Sequence, residues 1–178
     1  MPTNNKDNNN INDEQQQRLR KLGIFKEKKI EAYPSKSQQY VSIVEFLKNY
    51  KTWLRAKKSL KMAGRIRTLR LQGGSCFLQF TDHSGSLQAF VRKDNLGEES
   101  YQLFKNGLDA GDIVEFSGSA FITKTHEPTI LVKKFKLLSK ALLPIPDAYY
   151  GLKDPNTRFR RRYLDLLTNP EVKKIFLL

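Results

Sequence analysis

Two neighbouring segments of the sequence carry side chains that can bind a single-stranded nucleic acid. In residues 76–80 and 87–92, apolar side chains alternate with aromatic rings, amides and an arginine. If the apolar positions face a core, the opposite face carries Phe77, Gln79, Gln88, Phe90 and Arg92, together with Arg65 and Arg67 from the preceding segment. On such a face, rings stack on bases, amides hydrogen-bond base edges and cations hold phosphates. The alternative is that Phe77 and Phe90 pack beneath N-terminal helices.

Residue types that often carry catalysis or metal binding are few and scattered. His83 and His126 fall in predicted turns and lack the spacing of a metal-ligand pair. Cys76 belongs to the alternating apolar positions that are predicted to face the core. A thiol buried among apolar side chains is inert rather than nucleophilic. Gly73-Gly74 is not followed by a predicted helix, as a phosphate-binding loop would be. The sequence therefore predicts neither a catalytic residue nor a metal site.

The composition adds a strong positive charge. The 178 residues include 32 Lys and Arg against 18 Asp and Glu, a net charge of +14. Residues 18–72 hold 16 of the basic and three of the acidic residues, so they should form most of the surface that meets a polyanion. No apolar run approaches the roughly 20 residues that span a bilayer, and a single cysteine excludes an internal disulfide. These features predict a soluble, cytoplasmic protein that binds nucleic acid rather than a membrane.

The N-terminal part should contain a tail and two helices. Residues 1–14 are Asn-rich, with too few apolar side chains to offset chain entropy, and are predicted to be disordered. Residues 15–58 are predicted to form two basic helices, the first from about Glu14 to Lys28. The second starts at the capping pair Ser42 and Glu45. Its apolar face is Ile43, Phe46, Leu47, Tyr50, Trp53 and Leu54. Its basic face (Lys48, Lys51, Arg55 and Lys58) is either solvated or in contact with the polyanion.

From Leu60 the pattern changes to the two-residue period of β-strands. Three strands are predicted, the last two joined by a hairpin turn at residues 82–85. A short helix at about residues 100–106 and strands at about 112–123 and 129–137 follow. This is the element order of the OB-fold, a five-stranded Greek-key barrel. We therefore predict a mainly β fold with flanking helices: an OB-fold barrel over residues 59–140, preceded by two N-terminal helices and followed by a short helical C-terminal tail.

The segment after the barrel carries a family resemblance. AYYGLKDPNTRFRRRYLDLL (148–167), with helix starts at Asp154-Pro155 and Asn169-Pro170, closely resembles the start of the catalytic domain of bacterial-type, class II lysyl-tRNA synthetases. Three barrel segments resemble that family's anticodon-binding domain: KMAGRIRTLR (61–70), FLQFTDHSGSLQAFV (77–91) and TKTHE (123–127). RLRKLGIFKEKKIEAYP (18–34) resembles its N-terminal helix, although Lys29 replaces the usual Gly. The barrel alone is shared with aspartyl- and asparaginyl-tRNA synthetases, so the segment at 148–167 points to lysine.

This resemblance implies roles for four residues at anticodon-reading positions. Phe77 would stack on an anticodon base, and Gln88 would hydrogen-bond the central uridine. Arg70 and Glu127 would contact the anticodon near its first or central base. The alternation described above independently places Phe77 and Gln88 outward, whereas no local signal singles out Arg70 or Glu127. Arg65, Arg67, Gln79, Phe90 and Arg92 remain additional candidate RNA contacts.

The resemblance also implies that full-length members use ATP and magnesium, bind lysine tRNA and form homodimers. This chain ends near the start of the family's first catalytic motif, so residues 141–178 should be a linker and a truncated start of the catalytic domain. We therefore expect the chain alone to bind no cofactor and to charge no tRNA. The favoured hypothesis is the anticodon-recognition portion of a lysine–tRNA ligase. The alternatives are one half of a split synthetase, with a separate catalytic partner, and a free-standing single-stranded RNA-binding OB protein.

Overall fold

The computed structural model describes residues 5–35, 40–145, 152 and 154–176. The chain falls into two units, Met1–Leu143 and Pro144–Leu178. The elements of the first unit are α1 (Asn5–Glu27), α2 (Ile43–Lys48), α3 (Tyr50–Ala56), β1 (Leu60–Gln72), β2 (Ser75–Thr81), β3 (Ser86–Arg92), α4 (Lys93–Leu96), α5 (Glu98–Gly107), β4 (Ile113–Ile122) and β5 (Pro128–Ser139). Those of the second unit are α6 (Pro155–Arg160), α7 (Arg162–Thr168) and α8 (Pro170–Phe176).

The strands of the first unit close into a barrel. Among the described residues the strand order is β1-β2-β3-β5-β4, and β4 pairs with β1 to complete the closure. Strand β1 pairs with β4 through Leu60–Arg65 and with β2 through Arg65–Gln72. Strands β3 and β5 run parallel, whereas the neighbouring pairs are antiparallel. This five-stranded barrel, with helices between its third and fourth strands, confirms the predicted OB-fold.

Alternate residues of the strands fill the barrel interior. The apolar positions predicted to face the core are all buried, namely Cys76, Leu78, Phe80, Leu87, Ala89 and Val91. The rings of Phe80 and Phe116 meet edge to face with centroids 5.1 Å apart. A Cβ atom at Gly64 would lie 2.6 Å from the Thr81 carbonyl oxygen, so the close approach of these backbones requires glycine.

Helix α1 is attached to the barrel by an apolar contact and an ionic one. Phe25 is fully buried against Gly107 of α5. Lys21 forms an ion pair with Asp109, which also accepts a hydrogen bond from the fully buried Lys140 at 2.6 Å. Burial alone would raise the pKa of Asp109, but the two lysines outweigh it and hold that pKa below its ordinary value. The helix is therefore part of the same packed unit as the strands.

Helix α1 begins earlier than the sequence predicted. Its backbone is helical from Asn5, so residues 5–14 do not form the disordered tail expected from their composition; residues 1–4 lie outside the described residues. Once the packed part of a helix exists, each further residue adds a hydrogen bond without a new nucleation cost. That cooperativity outweighs the modest helix propensity of asparagine.

A second correction concerns the helix predicted from Ser42 onward. It is divided at Asn49 into α2 and α3, so three helices rather than two precede the barrel in the described part of the chain. The Asn49 side chain donates to the Glu45 carbonyl oxygen at 3.1 Å, a bond that competes with helix continuation. The predicted cap is present, because Ser42 Oγ accepts the Glu45 backbone N–H at 3.3 Å. Phe46 is buried as expected, whereas Leu47 is exposed.

The hairpin turn between β2 and β3 accepts hydrogen bonds from the start of α2. Asp82 Oδ1 accepts the backbone N–H groups of Ser84 and Gly85 at 2.7 and 2.9 Å. Its Oδ2 accepts the Ile43 N–H at 2.8 Å, and Ser84 Oγ accepts the Val44 N–H at 3.0 Å. Burial alone would raise the pKa of Asp82, but the hydrogen bonds outweigh it and lower that pKa. The turn thus satisfies free amides in the first turn of α2.

The second unit is helical, as predicted, but its first helix is shorter. Asp154 caps α6 by accepting the Thr157 N–H at 2.8 Å. The helix ends at Arg160, and the single helix predicted to about residue 167 is instead α6 and α7. The buried Asp165 of α7 binds Arg158 of α6 at 3.0 Å, across the break. Most of the predicted linker, residues 146–151 and 153, lies outside the described residues.

Candidate nucleic-acid interface

An open groove of about 430 Å³ lies on the outer face of the barrel. It crosses β2 and β3 and is bounded by the end of β1, the end of β4 and the loop between β4 and β5. The residues that line it are Arg70, Gln72, Phe77, Gln88, Phe90, Phe121, Thr123, Lys124, Thr125 and Glu127. The fold therefore brings together all four residues at the predicted anticodon positions, with Phe90 beside them.

Three phenylalanine rings form an aromatic ladder along the groove. Phe77 and Phe90 are cross-strand partners whose rings stack with centroids 4.3 Å apart and 15° between their planes. On the other side, the ring of Phe121 lies 5.8 Å from that of Phe90, at 27°. Phe77 and Phe90 thus face the groove instead of packing beneath the N-terminal helices. Because Phe90 is the middle ring, a base can reach an open ring face at Phe77 or at Phe121.

Gln88 is held on the groove floor by the oxygen of its amide. Its Oε1 accepts the hydroxyl of Thr129 on β5 at 3.0 Å. Among the described residues no other hydrogen bond engages this side chain, so both N–H donors of Nε2 remain for a ligand. A side chain that presents two donors is complementary to a base edge that presents a carbonyl oxygen.

A bulge in β1 decides where Arg70 lies. The register against β2 shifts between Ile66 and Thr68, which leaves Arg67 as the extra residue. Before the shift, even-numbered positions such as Ile66 face the barrel interior. Beyond it, Arg70 is the cross-strand partner of Phe77 and shares the outer face of that ring. A one-residue shift moves every following side chain to the other face, so the bulge places the guanidinium in the groove.

The loop after β4 closes on itself and carries Glu127 to the rim of the groove. Thr123 Oγ1 accepts the Glu127 N–H at 3.0 Å, and the Thr123 N–H donates to the Glu127 carbonyl oxygen at 3.2 Å. His126 adopts a left-handed backbone with φ of 61° and donates its N–H to the Thr123 carbonyl. The loop thereby presents Lys124 and Glu127, two exposed side chains of opposite charge, at one rim.

Comparison with known proteins agrees with this geometry. Residues 60–138 match the tRNA anti-codon family, described as the OB-fold nucleic acid binding domain. This part of the chain belongs to that family.

The OB-fold domain and its flanking segments are also similar to lysine–tRNA ligases. The chain is 42% identical to that of Thermoanaerobacter sp. (strain X514) over 161 residues, 90% of this chain and 32% of the relative. It is 36% identical to that of Helicobacter hepaticus over 172 residues, 90% of this chain and 33% of the relative. It is 49% identical to that of Halalkalibacterium halodurans over 117 residues, 66% of this chain and 23% of the relative. These matches confirm the resemblance found in the sequence, and the chain spans a third or less of these relatives' length.

Some of the predicted contacts belong to the OB-fold domain but do not line the groove: Arg65, Arg67, Gln79 and Arg92. Arg65 is half-buried and donates to the Gly111 carbonyl oxygen at 2.8 Å, so it supports the segment before β4. Arg92 forms an exposed ion pair with Asp94 at 2.8 Å. Gln79 is exposed beside Gln88 on the same face. RNA contacts by these residues stay predictions.

The sequence interpretation missed several residues that line the groove: Gln72, Phe121, Thr123, Lys124 and Thr125. Phe121 could have been found from alternation alone. Val114, Phe116 and Ala120 of β4 face the interior, so the opposite parity, which includes Phe121, faces outward. Gln72 follows the bulge in β1, so its parity could not be deduced from the residues that precede the bulge.

Of the other side chains considered for chemistry, the thiol of Cys76 lies in the core, as predicted. Cys76 is buried, and burial raises the pKa of its thiol to about 11, so little thiolate is present near neutral pH. Within the described parts of the chain, no group of three His, Cys, Asp or Glu side chains is arranged to hold a metal ion. None of the described helices is both long and apolar enough to cross a membrane.

Proposed function

We propose that this chain binds the anticodon arm of lysine tRNA in the groove of its OB-fold domain. The observation that best supports the proposal is the convergence of Arg70, Phe77, Gln88 and Glu127 on one groove, although they are distant in sequence. The relatives that align with 90% of the chain are named lysine–tRNA ligases. The anticodon-reading positions expected from the resemblance and the lining of the groove therefore coincide.

In this proposal, Phe77 supplies the stacking platform. It lies at one end of the aromatic ladder, with one ring face against Phe90 and the other toward the groove. A base stacked on such a ring contributes about 1–3 kcal/mol to single-strand binding. Because Phe90 stacks on Phe77 and Phe121 stacks on Phe90, the Phe77 ring is held in place before the RNA arrives, and less entropy is lost on binding.

The polar groups around this platform read the base edges. Gln88 presents two donors, which suit a carbonyl oxygen of the central base. Glu127 can accept an amino or imino N–H, whereas the planar guanidinium of Arg70 can donate to two acceptors at once. The groove thus offers donors at Gln88 and Arg70 and an acceptor at Glu127.

Phosphates would be neutralised by basic side chains inside and outside the groove. Lys124 lies at the rim. The predicted basic face, on α2, α3 and the residues just after α3, is exposed: Lys48, Lys51, Arg55 and Lys58. Such contacts give affinity without sequence information. The net charge of +14 supports this part of the proposal.

The proposal is tested by titrating a fluorescent stem-loop with the lysine anticodon UUU against wild type and Phe77→Ala. We expect Phe77→Ala to weaken binding by about 1–3 kcal/mol, because it removes one base-stacking face. Phe159→Ala is the matched control, since it removes an exposed aromatic ring from the second unit. Equal affinities of wild type and Phe77→Ala would remove Phe77 from the binding site.

A second stem-loop of unrelated sequence distinguishes anticodon recognition from sequence-tolerant binding. At matched salt, wild type should prefer the lysine stem-loop. Equal binding of both RNAs would favour the alternative of a free-standing single-stranded RNA-binding OB protein.

We further propose that the chain serves ATP-dependent lysylation of tRNA in the cytoplasm. Its relatives are named for that ligation and are about three times as long as the matched segment. A catalytic domain or a second copy of the chain would be the partner. The described residues include no three-ligand cluster for a metal ion, and we assign no ATP or magnesium contact to them.

A further inference from the structure

Thr129 is a fully buried polar residue directly beneath the groove. On β5 it is the cross-strand partner of Gln88 on β3 and also of Phe121 on β4. Its neighbour Ile130 faces the barrel interior and is fully buried, so Thr129 faces the side of the sheet that carries the groove. Nothing in the sequence pattern or the resemblance singles out this residue.

The Thr129 hydroxyl lies within hydrogen-bond distance of two oxygens. Gln88 Oε1 is 3.0 Å away, and the Glu127 carbonyl oxygen is 3.1 Å away. A hydroxyl has one proton and can donate to only one of them at a time. The Glu127 carbonyl already accepts the Thr123 backbone N–H at 3.2 Å. Among the described residues Gln88 Oε1 has no other hydrogen-bond donor. We therefore assign the hydroxyl proton of Thr129 to Gln88 Oε1, where it satisfies an acceptor that otherwise has no partner.

We propose that Thr129 is a positioning residue that fixes the Gln88 amide with its N–H donors toward the groove, and thereby makes the groove select uracil over cytosine. Uracil presents the carbonyl O4 where cytosine presents the N4 amino group. A fixed amide donor pairs with O4 but meets another donor at N4. This inference rests on the proposed function, because it assumes that an anticodon base lies against Gln88.

Loss of the hydroxyl should change selectivity more than affinity. Without a donor on Oε1, the Gln88 amide can rotate by about half a turn and present either its oxygen or its nitrogen, since the two ends have the same shape. The rotated amide accepts from the amino group of cytosine. A residue with a purely structural role would lower affinity for both bases and leave their ratio unchanged.

The experiment measures binding of two stem-loops that differ only in the central anticodon base, UUU and UCU. Wild type should bind UUU about ten-fold more tightly than UCU, the effect of one well-matched base-edge contact. Thr129→Val removes the hydroxyl but keeps the branched shape, and its preference should fall to about three-fold or less. Thr129→Ser keeps the hydroxyl and should retain the wild-type ratio. Thermal unfolding of each variant checks its fold.

Each alternative outcome has a defined meaning. An unchanged ratio in a folded Thr129→Val, or an equally reduced ratio in Thr129→Ser, overturns the inference and leaves the proposed function standing. A wild type that prefers UUU to unrelated RNA but binds UUU and UCU equally also overturns the inference alone. A wild type that binds all RNAs equally overturns the proposed function. If Thr129→Val does not fold, Thr129→Ala takes its place: it also removes the hydroxyl, so the preference for UUU should fall as in Thr129→Val, and an unchanged ratio overturns the inference.

Discussion

At the scale of single residues, Phe90 lies in the groove between two other phenylalanine rings. Its ring is stacked against Phe77 at 4.3 Å and lies 5.8 Å from the ring of Phe121. Stacked aromatic pairs contribute about 0.5–1.5 kcal/mol beyond the area that they bury. We infer that Phe90 acts through Phe77, by holding that ring in the orientation that a base requires.

Phe90→Ala should therefore weaken binding of the UUU stem-loop by about two- to ten-fold, less than Phe77→Ala does. The double variant should bind no more weakly than Phe77→Ala alone, because Phe90 has no effect once the ring that it supports is gone. Phe90→Tyr, which keeps the ring, is the control. Strictly additive losses in the double variant would show that Phe90 contacts the RNA itself.

At the scale of elements, the hairpin turn at residues 82–85 links the barrel to α2. Asp82 shapes the turn with one carboxylate oxygen and caps the helix with the other. The same hydrogen bonds lower its pKa against the opposing effect of burial. A carboxylate with a depressed folded-state pKa adds stability above its ordinary pKa of about 3.9, and that stability is lost as the pH falls through the folded value.

Asp82→Ala should lower the free energy of unfolding by about 1–2 kcal/mol at pH 7, since it leaves amide donors of the turn and of α2 unsatisfied. The difference from wild type should start to shrink below about pH 4, where the carboxylate of the unfolded chain takes up a proton, and should be lost as the pH falls through the depressed folded-state pKa. Urea unfolding at pH 7 and pH 3 measures both effects. Ser86→Ala, an exposed change beside the same turn, is the control. A difference that stays constant between the two pH values would contradict the assigned role of the charge.

At the scale of the whole molecule, the positive charge is carried mostly by residues outside the groove. Arg70 and Lys124 are the basic residues that line it, whereas the exposed lysines and arginine of α2 and α3 lie on helices that precede the barrel. Base-edge contacts give selectivity and phosphate contacts give affinity that depends on salt. The two properties should therefore be separable by mutation.

Lys124→Ala should weaken binding of every stem-loop by a similar factor and reduce the salt dependence of binding by about one phosphate contact. For single-stranded segments that is a change of about 0.7 in the slope of log K against log salt. Titrations at four salt concentrations measure the slope. Lys105→Ala, an exposed lysine of α5 away from the groove, is the control and should leave the slope unchanged. An unchanged slope in Lys124→Ala would exclude Lys124 as a phosphate contact.

The features that the sequence predicted correctly are those governed by neighbouring residues. Alternation in β2 and β3 placed Phe77 and Gln88 outward and Cys76 in the core, because side chains in an unbroken strand alternate between two faces. Caps at Ser42 and Asp154 likewise depend on the residues of one helical turn. The prediction failed where a local pattern was interrupted, as at Asn49, or extended by cooperativity, as in the N-terminal part of α1.

The assembly of the groove was decided by contacts between residues far apart in sequence. The bulge at Arg67 exists only in the register of β1 against β2, and it turns Arg70 from the core face to the groove. The parallel pairing of β3 with β5 places Thr129 against Gln88, about forty residues away along the chain. By itself, the sequence determined the strands, the faces of β2 and β3 and the excess of positive charge. Only the tertiary structure decided which side chains share the groove, because strand register and barrel closure depend on the packing of the whole core.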